Sequence, residues 1–330
     1  MSVLDELPQN ASVVVIRLRS LGDAVLTTPA LRLLKAVRPD LRVSVVLDDV
    51  FAPLLESSSD IDEVIRADRK RRTQAIREIR KRLPALCLNL HGGTSSTWMT
   101  ALSGAKHRAG FGHFRMDSVY NIRIPRAQHV LGLDEDAAVH TAQHIASAMF
   151  HLGVPQGDIP AARLFAAPLQ RDRPYAVLHV VAAYETKQWA AERFRAIAAH
   201  VEQVHRLEPV IIAGPGQDHL LTQFAGLSTM PNLGIPQLMS LMAGAHLFIG
   251  NDSGPAHIAA AFGKPCAVIF GSSNSKVWGP WRTPSQVIET QWDCKPCPGD
   301  RCYAFDQPRC ILSIEEASVA RAVDALLQTS

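Results

Sequence analysis

One segment of the chain, FIGNDSGPAHIAAAFGKP at residues 248–265, constrains the fold more than any other. It begins as an apolar strand end and continues into a glycine-rich turn that offers several backbone N–H donors. Pro255 then suits the first turn of a helix, because its missing N–H would have no partner there. A second apolar strand follows at residues 266–270. Open α/β sheets bind phosphates and nucleotides at turns of this kind, so the segment predicts an anion-binding βα turn.

The side chains of this turn suit a polar ligand. Asp252 places a carboxylate beside the exposed amides, where it can accept from a hydroxyl, and Ser253 and Gly254 open the helix. Ser253 can cap that helix. His257 lies one turn along, and its side chain should lean back toward the turn. An ordinary βα corner with an Asx-type turn would show the same residues, and the turn alone does not decide between the two.

The rest of the chain alternates apolar runs of strand length with segments of helical spacing, which predicts doubly wound parallel sheets. The length of 330 residues indicates two domains. A Pro-, Ala- and Arg-rich stretch at residues 156–174 is the expected linker, which gives domains at 1–165 and 166–330. The strand-to-helix pattern restarts after it.

Composition excludes several classes. The longest apolar runs are too short to span a membrane, and the first residues lack a basic start followed by an apolar stretch, so we expect neither a transmembrane helix nor a secretory signal. The net charge of +3 is too small to indicate nucleic-acid binding. We therefore expect a cytoplasmic protein with reduced thiols.

Two motif blocks resemble one known family. The D-[ST]-G-x-x-H pattern at residues 252–257 is similar to a signature of the family 9 glycosyltransferases, the heptosyltransferases of lipopolysaccharide inner-core synthesis. The string at residues 17–35, which includes S-L-G-D-x-V-x-T-x-P-A-L, resembles the opening signature of that family. The resemblance implies a GT-B fold, with two Rossmann-like domains facing a central cleft. It also implies an acceptor-binding first domain, a nucleotide-sugar-binding second domain and a C-terminal helix that packs back on the first domain.

The resemblance implies an inverting transfer of heptose from ADP-heptose to the Kdo/heptose inner core of lipid A, with no required cofactor and no catalytic metal. Asp23 would be the general base, since an alcohol that attacks an anomeric carbon must lose its proton. From the residues alone, Asp23 could equally cap the following helix. Ser20 and Gly22, expected in a loop beside Asp23, are candidate acceptor-binding residues.

A second acceptor segment is N-L-H-G-G at residues 89–93. The family often has D-L-H-G-G, so Asn89 departs from its pattern. His91, Gly92 and Gly93 are candidate acceptor-binding residues, and the glycines would allow a ligand close to the backbone. A simple glycine turn explains the pattern equally well.

Four further residues are implied for the donor. Lys187 would neutralise charge on the departing diphosphate, Asp218 would contact the nucleoside, and Leu233 and Gly234 would line the adenine pocket. The family often has Thr or Gly at positions 182–184, where this chain has Ala-Ala-Tyr, so backbone amides rather than hydroxyls would hold the phosphates.

Two composition features remain open. The spacing C-x2-C-x4-C-x7-C is compatible with a structural zinc ion, with reduced thiols or with disulfides made after isolation; its members are Cys294, Cys297, Cys302 and Cys310. The segment Arg66–Arg82 carries nine bases and two acids. It is either a solvated helix face or a patch for anionic lipid at the cytoplasmic face of the inner membrane.

Three other functions remain open from the sequence. The first is a family 9 transferase with another nucleotide-sugar donor. The second is a GT-B nucleotide-sugar epimerase, which would need a cluster of acids and histidine that the sequence does not assemble. The third is a non-catalytic nucleotide-sugar sensor, against which the presence of both Asp23 and Lys187 argues.

Overall fold

The computed structural model describes residues 1–328 of the chain. The chain forms two compact units, Met1–Phe165 and Ala166–Ser330. Each unit contains a six-stranded sheet whose strand pairs are all parallel. The predicted class of two parallel α/β domains is confirmed. Within residues 1–328, every helix is too short or too polar to cross a lipid bilayer.

The first unit has strand order β3-β2-β1-β4-β5-β6. Its strands are β1 Ser12–Ile16, β2 Arg42–Asp48, β3 Glu63–Ala67, β4 Leu86–Asn89, β5 His107–Phe111 and β6 Ile122–Ile124. Its helices are α1 Val3–Glu6, α2 Leu21–Val37, α3 Arg72–Lys81, α4 Thr94–Ala101, α5 Ala127–Leu131 and α6 Thr141–Leu152. From Val13 to Ile16 the central strand β1 is an unbroken apolar run, as expected for a parallel strand that is covered on both faces.

The second unit repeats this arrangement with strand order β12-β11-β10-β7-β8-β9. Its strands are β7 Tyr175–His179, β8 Glu208–Ile212, β9 Ser228–Met230, β10 Leu247–Asn251, β11 Cys266–Phe270 and β12 Ser285–Glu289. Its helices are α7 Ala191–His205, α8 Ile235–Gly244, α9 Gly254–Ala261, α10 Ser275–Trp278, α11 Arg309–Leu312 and α12 Glu316–Gln328. In both units the first strand pairs with the fourth, and the strand order reverses there.

Helix α2 begins at Leu21, three residues before Ala24, where the sequence predicts its start. Gly22 and Asp23 therefore lie in its first turn and not in a loop. The cause is local, because the Asp23 carboxylate accepts from the backbone N–H of Ser20, the residue that caps the helix. The helix also continues through Pro29; the Thr28 hydroxyl donates to the Val25 carbonyl at 2.8 Å and satisfies the acceptor that Pro29 cannot reach.

The C-terminal helix α12 packs within its own unit. It contacts α7, β11 and β12. Val319, Val323 and Leu326 form its buried stripe and belong to the core of the second unit. The flank of its own sheet therefore buries this apolar stripe, and the expectation that the helix packs back on the first domain stays a prediction.

Candidate functional site

Most of the predicted site residues lie beside the point where the strand order of each sheet reverses, and Asp218, Leu233 and Gly234 lie farther along the second sheet. In the first unit, one turn follows β1 and another follows the neighbouring β4; in the second unit, the corresponding turns follow β7 and β10. Open α/β sheets bind ligands outside the carboxyl ends of their strands at such a switch point. Each unit therefore offers one candidate site, formed by two turns that are distant in sequence and adjacent in the sheet.

Asp23 is the central acid of the first-unit site. Its side chain is 19% exposed, and its Oδ1 accepts from the Arg17 guanidinium. Its Oδ2 accepts from the Ser20 amide at 3.0 Å and from the Ser20 hydroxyl at 3.1 Å. A carboxylate has about four acceptor positions, so these contacts leave room for a substrate hydroxyl. Helix capping and proton acceptance are compatible at this residue.

Arg17 connects the two turns of the first-unit site. Its guanidinium also donates to the Leu90 carbonyl, directly after β4. Arg17 therefore affects both Asp23 and His91. Burial and the positive charges of Arg17 and Arg19 lower the pKa of His91, and the nearby acids Asp23 and Asp48 raise it by less. His91 is therefore neutral at pH 7 and offers a hydrogen bond rather than a charge.

Asn89 builds the turn that holds His91. Its Oδ1 accepts from the amides of His91 at 2.9 Å and Gly92 at 3.1 Å, and its Nδ2 donates to Tyr120 and Ser96. An aspartate has no donor for these last two contacts, so the departure from the family pattern fits this polar network. Gly92 has φ +72°, and a Cβ there would lie 2.5 Å from the Phe114 ring. Its backbone therefore requires glycine. Gly93, with φ −86°, caps α4.

Lys187 and Asp252 meet in the second-unit site. Lys187 Nζ lies 2.9 Å from Asp252 Oδ2, and the Ser273 hydroxyl donates to the same oxygen at 2.5 Å. The Asp252 side chain is 7% exposed and that of Lys187 is 25% exposed. A buried carboxylate thus holds an accessible ammonium at the ends of β7 and β10. Lysine has three donors, and its other hydrogens are available to an anion.

Ser253 does not cap α9 through its side chain, contrary to the prediction. Its Oγ lies 3.0 Å from His179 Nδ1 and donates to the Asn251 carbonyl at 3.0 Å. Burial lowers the pKa of His179 to about 4, so this ring is neutral at pH 7. Gly254 is the first residue of α9, and His257, one turn along, is buried. Pro255 has no N–H and the Ala256 N–H donates to the Ser253 carbonyl, so the Gly254 N–H is the donor that this helix start offers to a ligand.

Asp218, Leu233 and Gly234 lie together at the ends of β8 and β9. Asp218 starts a 3₁₀ helix at Asp218–Phe224, and its Oδ1 accepts from the Asn232 amide at 3.0 Å. Asn232 precedes Leu233, and Gly234 caps α8. The predicted donor residues of the second unit thus follow four neighbouring strands, β10, β7, β8 and β9.

The sequence reasoning missed three side chains of these sites. Arg17 lies within the family-like segment at residues 17–35, but the sequence does not indicate that it connects the turns after β1 and β4. His179 ends a strand that is otherwise apolar, and Ser273 follows another buried strand. A polar residue at the carboxyl end of a buried strand was the available signal for both.

The four C-terminal cysteines line one cavity of about 260 Å³, together with Thr186 and Ser272. Within residues 1–328, no three of their sulfur atoms form a group with mutual separations within 4.8 Å. Burial raises the pKa of the Cys310 thiol. The structural zinc ion stays a prediction, as do the reduced thiols.

A family model described as glycosyltransferase family 9 (heptosyltransferase) matches residues 72–304. This range contains the whole second-unit site and the His91 turn, and Asp23 lies before it. Lipopolysaccharide heptosyltransferase 1 of Pseudomonas aeruginosa is 24% identical over 346 residues, covering 96% of this chain and 98% of that protein. This alignment covers nearly the full length of both proteins.

Two solved structures from Escherichia coli share the fold. The ADP-heptose lps heptosyltransferase II has a TM-score of 0.78 at 19% identity, over 96% of this chain and 99% of that one. The heptosyltransferase WaaC with ADP-2-deoxy-2-fluoro heptose has a TM-score of 0.71 at 16% identity, over 96% and 99%. Both α/β units of the chain therefore have counterparts in known structures.

Proposed function

The chain belongs to glycosyltransferase family 9, and from this premise we propose that it transfers heptose from ADP-heptose to the Kdo/heptose inner core of lipid A, with inversion at the anomeric carbon. Its two α/β units are the Rossmann-like domains of a GT-B fold. The observation that carries the proposal is the complementary chemistry of the two switch points. One has an accessible carboxylate, Asp23, and the other has an accessible ammonium, Lys187, beside a helix N-terminus.

The second unit is the donor-binding domain in this proposal. Lys187 and the amides at the start of α9 hold the diphosphate, as helix N-termini hold phosphates elsewhere. Asp252 positions Lys187, and Asp218 with the 233–234 turn receives the nucleoside. From β10 to β9 there are three strand spacings, about 14 Å, which is the scale of an extended nucleoside diphosphate. The WaaC structure, which contains an ADP-heptose analogue, supports ADP-heptose as the donor.

The first unit is the acceptor-binding domain, and Asp23 is its base. An acceptor hydroxyl gives its proton to the Asp23 carboxylate while its oxygen bonds to the anomeric carbon. The bond from that carbon to the diphosphate oxygen breaks, and the electron pair leaves with ADP. Lys187 neutralises the charge that develops on the leaving diphosphate. Ser20, His91 and the 92–93 glycine turn lie beside the base and orient the acceptor.

Nucleotide-dependent thermal stabilisation tests the donor assignment. We expect ADP and ADP-heptose to raise the melting temperature more than UDP, GDP or their sugars. A ligand at 100 times its Kd stabilises the native state by about 2.7 kcal/mol. Release of ADP from ADP-heptose should then require a Kdo-bearing lipid A acceptor. A selective rise in melting temperature with UDP or GDP would contradict ADP-heptose as the donor. No rise with any nucleotide would contradict the proposal that the protein is a nucleotide-sugar transferase.

The basic segment of the first unit adds a lipid-facing surface to this proposal. Four of its bases form ion pairs, whereas Arg69, Lys70, Arg71, Arg77 and Arg80 are exposed and have no ion pair within residues 1–328. Helix α3 packs against α4. Trp98 on α4 is 51% exposed, and Leu102, directly after the helix, is 43% exposed. Exposed bases beside an exposed tryptophan suit an anionic bilayer surface.

Vesicle sedimentation tests this surface. The protein should bind vesicles of phosphatidylglycerol and phosphatidylethanolamine more tightly than phosphatidylcholine vesicles. Reversing both Arg77 and Arg80 to Glu removes at least two favourable charges of about 1 kcal/mol each, so binding should weaken by roughly 30-fold or more. Arg321→Glu, on α12 of the second unit, is the control and should bind as the parent does. Equal binding to anionic and neutral vesicles would contradict the proposal.

A further inference from the structure

Helices α7 and α12 of the second unit bring two histidines and one acid together. His200 and His205 lie on α7, and Asp324 lies on α12. Asp324 Oδ1 is 2.7 Å from the Nε2 atom of each ring. Within residues 1–328, this is the one group of three or more metal-binding side chains whose ligand atoms all lie within 4.8 Å of one another.

The two helices that carry this group are packed into the core of the second unit. Ile197 and Val201 of α7 and Val323 of α12 are at most 1% exposed and belong to the core of the second unit. The histidine and aspartate side chains extend from these packed helices and are partly exposed, between 16% and 33%. The fold has therefore already placed the three ligand atoms close together, so binding an ion would order little additional structure.

We propose that His200, His205 and Asp324 bind a divalent transition-metal ion of the zinc type. Two imidazole nitrogens and one carboxylate oxygen are donors that zinc accepts, at about 2.0–2.2 Å. Tetrahedral ligands at that distance lie roughly 3.3 Å apart, so small side-chain rotations would open the present 2.7 Å separations.

Solvent reaches this site from the amino ends of the strands. A cavity of about 500 Å³ is lined by His205, by Leu207 before β8, by His246 before β10 and by Pro265 before β11. Of the three proposed ligands, His205 lines this cavity, so solvent reaches that side of the site. The proposed donor site lies at the opposite, carboxyl ends of the same strands. The ion would therefore clamp α12 onto α7 without contacting the reacting groups.

Zinc titration of the full chain tests this site. The parent for the experiment carries Cys294→Ser and Cys297→Ser, because thiolates would compete for zinc, and is first stripped with a chelator. We expect one zinc ion per chain, and a higher melting temperature when zinc is present. Asp324→Asn keeps an oxygen acceptor for both histidines but loses the anionic ligand. It should weaken zinc binding at least tenfold, since even outer-shell changes cost 10–100-fold.

Two further variants make the outcome specific. His205→Gln should weaken zinc binding as Asp324→Asn does, whereas His129→Gln, an exposed histidine of the first unit, should leave binding unchanged. Co²⁺ should give an absorption spectrum without thiolate charge-transfer bands. Zinc binding that is absent, or that is equal in Asp324→Asn and His129→Gln, would overturn the proposal and leave a hydrogen-bonded His–Asp–His cluster.

Discussion

Replacing Asp23 by asparagine is expected to lower the heptose-transfer rate by about 100-fold or more, while ADP still stabilises the protein. The amide has nearly the shape of the carboxylate but cannot take the proton of the acceptor hydroxyl. Its one oxygen can still accept from Ser20 or from Arg17 but not from both, because Asp23 accepts from them through different oxygens. Steady-state rates with ADP-heptose and a Kdo-bearing lipid A acceptor, together with ADP-dependent melting shifts, measure both expectations.

The capping role of Asp23 must be separated from its chemical role. Loss of the negative charge in the first turn of α2 should cost stability of about 1 kcal/mol, so rates are compared well below the melting temperature. Asp117→Asn, at an exposed carboxylate of the same unit, is the matched control and should retain activity. If Asp23→Asn kept the parental rate, Asp23 would be only a helix-capping residue and another base would be required.

The fold was largely predictable from the sequence because parallel strands are covered on both faces. Strands such as β1 and β11 then appear as unbroken apolar runs between turns. The short strand β6, with three residues, is too brief to show any pattern. The sequence predicts the start of α2 three residues too late, because the contact that starts the helix, from the Ser20 amide to Asp23, lies within the residues expected in a loop. The same contact made Asp23 ambiguous between capping and catalysis.

The candidate sites were predictable only in part. The predicted residues of both sites lie in a segment that follows a strand or in the first turn of the next helix, which the local pattern reveals. Which strands are neighbours depends on sheet order, and the pairing of β7 with β10 brings Lys187 to Asp252 across 65 residues of sequence. Ser273 and His179 join the same site only through this arrangement. The cluster of His200, His205 and Asp324 likewise depends on the packing of α12 against α7, a contact that the sequence alone does not reveal.

Replacing Lys187 by methionine is expected to lower the transfer rate by about 100- to 1000-fold, as loss of a preorganised electrostatic contact does in other enzymes. The effect on the rate should exceed the effect on donor binding, because charge on the diphosphate increases as the glycosidic bond breaks. Single-turnover rates and the Kd for ADP-heptose, measured on the same variant, separate the two effects.

Asp252 provides the test of how Lys187 acts. Without the ammonium, the buried Asp252 carboxylate keeps the Ser273 hydrogen bond but loses its ion pair, so Lys187→Met should also melt at a lower temperature. Lys187→Arg retains the charge and should recover stability and part of the rate. Asp252→Asn leaves the charge at position 187 unchanged but loosens its placement, so it should lower the rate less than Lys187→Met. Lys187→Met could instead lower the melting temperature while its single-turnover rate, measured below that temperature, stays at the parental value. The ion pair with Asp252 would then be structural, and the α9 amides alone would hold the diphosphate.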